Sequence, residues 1–170
     1  MRVYIGGPMF SEADITYNRI IRDSLLESGF EVYCPSDNLL INDKTSKDIT
    51  GEKIYLYDIQ ELKNCNVFLC RITLDCGTMW EAGYMDCLHN NVNSKKYLGC
   101  IGLVTDIRLE TLPDPNKSGV DNQTMYIDQF VVGGLKLSLG LYKNIPAIQK
   151  RLLELSHEVN NEEIIYESIL

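Results

Sequence analysis

The chain has 170 residues, 45% hydrophobic and 24% charged, with 24 acidic against 16 basic side chains and a formal net charge of −8. That length and balance suit one soluble globular domain, 1–170, whose core is large enough to fold without staples. The acidic excess argues against a nucleic-acid scaffold or a binder of anionic membranes, while small neutral ligands stay compatible with it.

Val3-Tyr4-Ile5 reads as a short buried strand that ends in Gly6-Gly7-Pro8, a turn where the backbone can approach a neighbour closely. Ser11 followed by Asp14 marks a helix start of the capping-box kind, with Asp in place of the usual Glu. Ile20, Ile21 and Leu25 continue that helix to Gly29. A second strand is predicted over 30–34, then the polar turn Pro35-Ser36-Asp37-Asn38. Residues 50–65 form a helix with Ile54, Tyr57, Leu62 and Cys65 on its apolar stripe. A strand over 66–72, a helix over 78–90 and a strand over 97–104 follow. This alternation implies a mostly parallel sheet covered by helices on both faces, with a ligand crevice beyond the carboxyl ends of the strands.

Residues 108–122 carry Pro113, Pro115 and Gly119 and exceed the usual connection, which suits a lid, a subunit contact or a disordered stretch. The apolar stretch 125–141 is expected to add a strand. Residues 145–155 form an amphipathic helix with Ile148, Leu152 and Leu155 on one face.

Two acids stand out because they lie on apolar faces. Glu81, placed in the first turn of the 78–90 helix, shares its face with Tyr84, Met85 and Leu88. Asp58 sits four residues from both Ile54 and Leu62. A buried charge is costly unless it is paired or used. Two inward carboxylates flanking one strand suggest a shared pocket, and such pairs cleave glycosidic bonds, one as nucleophile and the other as acid/base. The helix dipole would keep Glu81 ionised, whereas burial would hold Asp58 protonated. Trp80 is read as a packing residue, and so are Tyr84 and Met85.

The cysteines Cys34, Cys65, Cys70, Cys76, Cys87 and Cys100 are scattered, without a Cys-x-x-Cys pair. His89 and His157 have no partner at ligand spacing. Neither a metal nor a disulfide framework is expected, and no base partner accompanies Cys76 or Cys87 for thiol chemistry. Met1-Arg2-Val3-Tyr4 runs straight into a strand without a signal-like stretch, and no apolar run is long enough to span a bilayer, so a reduced cytoplasmic protein is expected.

Four segments carry a family likeness. They are Val3-Tyr4-Ile5-Gly6-Gly7-Pro8-Met9-Phe10, Pro35-Ser36-Asp37-Asn38, Tyr57-Asp58-Ile59, and the specific run Asp75-Cys76-Gly77-Thr78-Met79-Trp80-Glu81-Ala82-Gly83-Tyr84. On these, residues 2–155 resemble the nucleoside 2-deoxyribosyltransferase family. The resemblance implies a flavodoxin-like (Rossmann-like) three-layer sandwich with a mostly parallel central sheet. It also implies exchange of the base on 2′-deoxynucleosides, with retention, through a covalent glycosyl-Glu81 intermediate in nucleotide salvage.

By the same resemblance Asp58 handles the proton of the leaving and incoming base, and Tyr4 orients the nucleophilic carboxylate. Asp75 is implied as a hydrogen-bonding acid on the sugar or base side. Gly6, Gly7, Asp37, Asn38 and Gly77 fall in the substrate-binding segments. No cofactor is implied; the partners are nucleosides and free bases, with neither nucleic acid nor membrane, in a homo-oligomer (dimer or higher) whose sites are completed by neighbours. The family's Asn-Leu-Met run, whose Asn touches the sugar 5′-hydroxyl, is missing here; its place falls to Ser138-Leu139-Gly140 or to 122–125. Two rivals share this frame: a hydrolase acting on nucleosides or their 5′-monophosphates, and a nucleotide-binding module without turnover. A dinucleotide site is excluded, because Gly6-Gly7-Pro8 lacks the Gly-x-Gly-x-x-Gly spacing.

Overall fold

In the computed structural model, which describes residues 1–110, 116 and 127–167, strands and helices alternate along the chain. The strands are β1 (Arg2–Gly6), β2 (Glu31–Tyr33), β3 (Val67–Arg71), β4 (Gly99–Leu103) and β5 (Leu141–Tyr142). The helices are α1 (Glu12–Glu27), α2 (Leu39–Asn42), α3 (Gly51–Asn64), α4 (Cys76–Asn91), α5 (Gln129–Leu137) and α6 (Ile145–Glu167), with 3-10 turns at Pro35–Asp37 and Ile107–Glu110. The sheet runs β2-β1-β3-β4-β5 with every pairing parallel. That is the flavodoxin-like order, in which the chain reverses direction across the sheet between β1 and β3 and opens a crevice at their carboxyl ends.

Strand alternation separates two cores. Val3, Ile5, Val67, Leu69, Ile101 and Leu103 face α1 and α6 and meet Ile21, Leu25, Ile148 and Leu152. Tyr4, Phe68, Cys70 and Cys100 face the other way and meet Leu62, Met85, Leu88 and Leu135 of α3, α4 and α5. Ser11 caps α1 as its sequence suggests, accepting from the Asp14 N–H at 3.1 Å while the Asp14 carboxylate takes its hydroxyl at 2.6 Å. Gly29 closes the helix at φ 87°, a left-handed position that suits glycine.

Three expectations change. The stretch expected to be a strand over 125–141 is mostly helix in its described part: the Asp128 carboxylate accepts from the N–H groups of Phe130 and Val131 and starts α5, and β5 follows only after Gly140. Tyr57 is not on the inner stripe of α3; it is exposed, and Ile59 is buried with Leu62 instead. Trp80 is 68% exposed and packs into neither core. Residues 111–115 and 117–122 of the expected lid or contact segment, and 123–126, lie outside the described residues. Among the described residues no helix is long and apolar enough to cross a membrane.

The glycine turn after β1 serves packing within the protein. A Cβ on Gly6 would lie 2.1 Å from Cζ of the fully buried Phe68 ring. The ring is wedged in the core that carries Tyr4 and cannot yield without displacing it. Gly6→Ala is therefore expected to lower unfolding free energy by about 1–3 kcal/mol, read as a fall in the urea midpoint with the slope unchanged.

Candidate active site

Tyr4 stands in the middle of β1, fully buried, with its ring 5.1 Å from that of Tyr33 and 5.5 Å from that of Phe68. Its hydroxyl donates to Oε1 of Glu81 at 2.5 Å. Glu81 reaches it from α4, and Asp58 reaches the same region from α3, where its Oδ1 accepts from the Tyr33 hydroxyl at 3.3 Å. Tyr33 is the direct register partner of Tyr4 across β1 and β2, so the two phenols project on the same side of the sheet. Two phenols thus face two carboxyls, across elements far apart in sequence.

The start of α4 lies earlier than the sequence suggests. Asp75 is the N-cap: its Oδ2 accepts from the Thr78 N–H at 2.8 Å and from the Thr78 hydroxyl at 2.5 Å. The helix begins at Cys76, which puts Glu81 in its second turn. The dipole acts within the first turn, so it does not hold Glu81 ionised as expected. Burial dominates: the Glu81 carboxyl is pushed up to about 8, against the Tyr4 hydrogen bond and with help from the Asp58 and Asp75 charges. The Asp58 carboxyl is also raised by burial, to about 6, while hydrogen bonds from Tyr33 and Tyr4 restrain the rise. Both phenols are held well above the ordinary tyrosine range, first by burial, and so stay protonated as donors. The pair of acids accordingly holds one proton between about pH 6 and pH 8.

The structure brings Glu81, Asp58 and Tyr4 together, with the Asp75 charge acting on Glu81. The other candidates are engaged in local structure, and of them Asn38 alone reaches the acid pair, through Tyr33. Asp37 forms ion pairs with Arg19 at 3.4 Å and with Arg22, tying its 3-10 turn to α1. Oδ1 of Asn38 caps α2 by accepting from the Leu40 N–H at 3.1 Å, while its Nδ2 donates to the Tyr33 hydroxyl at 3.0 Å. Gly7 packs against Arg71, and Gly77 lies beside the Asp75 carboxylate in the first turn of α4. Ser138 accepts from the Cys100 N–H at 2.8 Å, near the start of β4. The other placement for the sugar 5′ contact, 122–125, lies outside the described residues.

Tyr33 escaped the sequence reading. The available signal was parity: pairing β2 with β1 in parallel puts Tyr33 beside Tyr4. A cavity of about 810 Å³ opens between the carboxyl ends of β3 and β4 and the start of α5, lined by Arg71, Thr73, Asp75, Cys76, Thr105 and Asp128 among others; Glu81, Asp58 and Tyr4 do not line it. Asp75 is common to this cavity and to the electrostatics of Glu81. Arg71 brings no free charge to it, being paired with Asp14 and bonded to Asn18 Oδ1 at 2.7 Å.

The family model of nucleoside 2-deoxyribosyltransferase matches residues 3–122, which take in β1 to β4 with Tyr4, Asp58, Asp75 and Glu81. The chain belongs to the nucleoside 2-deoxyribosyltransferase family. No curated protein sequence matches it significantly. Among solved structures it is similar to a conserved protein from Enterococcus faecalis V583, with 23% identity over 91% of this chain and 98% of that one and a TM-score of 0.70. It is also similar to the 2-deoxyribosyltransferase of the psychrotolerant bacterium Bacillus psychrosaccharolyticus, at 15% identity over 88% of this chain and 90% of that one, TM-score 0.60. At these identities the two likenesses show the fold of a nucleoside 2-deoxyribosyltransferase, α/β and flavodoxin-like.

Proposed function

We propose that this protein exchanges the base of 2′-deoxynucleosides, with Glu81 as nucleophile, Asp58 as proton donor and acceptor, and Tyr4 as the residue that orients Glu81. The observation that carries the reading is the pairing of two partly buried acids by two phenols. Tyr4 fixes one Glu81 oxygen at 2.5 Å, and Tyr33 touches Asp58 at 3.3 Å. A buried anion aimed by a donor is the group that a glycosidic carbon needs as it gains positive charge.

In the first displacement Glu81 bonds to C1′ as the N-glycosidic bond breaks. The bond's electrons leave with the base, which takes a proton from Asp58. In the second, a nitrogen of the incoming base attacks C1′, its proton goes to Asp58, and Glu81 departs as carboxylate. Two inversions give retention.

Chemistry requires the shared proton on Asp58, whereas burial raises both carboxyls and so favours a proton on Glu81 as well. Two features of the reaction correct this. Positive charge developing at C1′ stabilises the Glu81 anion, and a base nitrogen that hydrogen bonds to Asp58 stabilises its protonated form. The acids Glu81, Asp58, Asp75 and Glu61 all act on this region, and the nearby Arg71 and Arg2 are paired with Asp14 and Glu61. A field of this sign favours an unphosphorylated nucleoside over a 5′-monophosphate. Ser138, engaged by Cys100, lends no support to a phosphate site.

We take residues 1–170 as one domain that assembles into a homo-oligomer and works in cytoplasmic nucleoside salvage. The exposed Leu39, Leu40, Phe130 and Leu137 support assembly. The test is chromatography of products from deoxyinosine with and without excess adenine or cytosine. Deoxyadenosine or deoxycytidine formed only with the acceptor is the expected result. Hypoxanthine released at a rate indifferent to the acceptor would make the protein a hydrolase, and no turnover of any nucleoside would overturn the reading.

A further inference from the structure

Tyr33 contacts the second carboxyl, and no motif points to it. Its hydroxyl has one proton and two neighbours, Asn38 Nδ2 at 3.0 Å and Asp58 Oδ1 at 3.3 Å. The orientation of the Asn38 amide is fixed, because its Oδ1 must accept from the Leu40 N–H at 3.1 Å to cap α2. Its Nδ2 therefore faces Tyr33 as a donor, so the Tyr33 oxygen accepts there and its own proton is left for Asp58. A helix cap thereby sets the direction of a hydrogen bond that ends on the proposed acid/base. The ring is held as well: it lies 5.1 Å from that of Tyr4, and the Arg2 guanidinium sits 5.9 Å from its centroid.

We propose that Tyr33 is a positioning residue for base exchange: directed by Asn38, it holds Oδ1 of Asp58, so that the proton traded with the nucleobase is carried on Oδ2. The proposal rests on the transferase reading and adds to it the means by which Asp58 is aimed. The ionised form of Asp58, which must accept a proton from the incoming base, is the form that a donor stabilises. The groups around Asp58 are Tyr4 of β1, Tyr33 of β2, Glu61 on its own helix and Glu81 of α4. Glu61 is neutralised by Arg2 at 2.7 Å. Tyr33 is thus a group whose removal changes Asp58 without touching Glu81 directly.

The test is Tyr33→Phe, which keeps the ring and withdraws only the hydroxyl. Two readouts separate positioning from packing. The first is the titration of Asp58 followed by carbon NMR of aspartate-labelled protein, expected to move up by about 0.5–1 pH unit. The second compares deoxyinosine with 7-methyl-2′-deoxyguanosine, whose cationic base leaves neutral and needs no proton. With deoxyinosine, kcat is expected to fall about tenfold; with the methylated substrate it should stay within about twofold of wild type, since the acid is bypassed. Asn38→Ser keeps a capping oxygen but removes the amide donor, and its effects should run the same way and be smaller.

Equal losses on both substrates with an unmoved Asp58 titration would overturn the proposal, leaving Tyr33 a packing residue. Failure of wild type to turn over either nucleoside, with the Asp58 titration still displaced in the variant, would instead overturn the transferase reading and uphold the Tyr33–Asp58 coupling.

Discussion

Replacing Glu81 with glutamine is expected to abolish base exchange and, at the same time, to make the protein more stable in alkaline solution. The first effect follows from the nucleophile's role: an amide cannot form the glycosyl ester, and kcat should fall by on the order of 10⁴-fold or more. Wild-type protein quenched during turnover should carry a deoxyribosyl increment on the peptide containing Glu81, visible by mass spectrometry and absent from Glu81→Gln. Loss of activity with the increment still present on another peptide would move the nucleophile elsewhere.

The second effect comes from linkage. Burial raises the Glu81 carboxyl from an ordinary 4.5 to about 8, so the folded protein keeps a proton that the unfolded chain releases. Stability from that proton is complete below about pH 4.5 and is lost as pH climbs through about 8. By pH 8.5 the folded state holds a buried carboxylate whose ionisation has cost up to about 4–5 kcal/mol relative to the neutral acid. Glutamine never ionises and can still accept from Tyr4. Urea unfolding should show Glu81→Gln more stable than wild type by roughly 2 kcal/mol or more at pH 8.5, with the gap closing toward pH 5. A constant gap at all pH values would mean that Glu81 is not the group titrating. Opposite signs for activity and stability are what a functional buried charge should give.

How far the sequence reveals this arrangement depends on the range of each interaction. The strand–helix alternation and the inward faces of Glu81 and Asp58 are local patterns. Periods of 2 and 3.6 residues recover them, and the parallel sheet and the meeting of both acids with Tyr4 follow. The sequence is less informative where a cap competes with a pattern. Asp75 starts α4 at Cys76 and puts Glu81 beyond the reach of the dipole, so burial, which no local pattern measures, governs its carboxyl and raises it. Residues 129–137 are apolar on nearly all sides, so periodicity cannot separate strand from helix, and the Asp128 cap decides. Tyr33 sits in a strand of three residues whose role comes from its register against β1, which is long-range information. Asp37 and Asn38 are polar residues in a turn. Their ion pairs and cap bonds with α1, α2 and Tyr33 are built by the fold and leave no motif.

The pH dependence of kcat/KM should be a bell with limbs near 6 and 8, because only the singly protonated pair of acids can react. Below the lower limb both carboxyls are protonated and Glu81 cannot attack; above the upper one both are ionised and the base leaves without a proton. The limbs belong to the pair, so Asp58→Asn should merge them into a single dependence. It should slow deoxyinosine by about 10²–10⁴-fold while sparing a substrate whose base needs no proton. Tyr4→Phe acts on the other member. Without its donor the Glu81 anion loses the hydrogen bond that restrains its rise, so the upper limb should move to higher pH while the activity at pH 7 drops about tenfold. Tyr4 has a second action, since its hydroxyl also restrains Asp58, so the lower limb should rise slightly in the same variant. A bell that keeps both limbs in Tyr4→Phe would show that the 2.5 Å contact does not set the ionisation of Glu81. The reactive form carries the pair's proton on Asp58, so the plateau between the limbs measures how strongly bound substrate draws that proton there. A poorly basic leaving base should therefore lower the plateau and leave the limbs where they are.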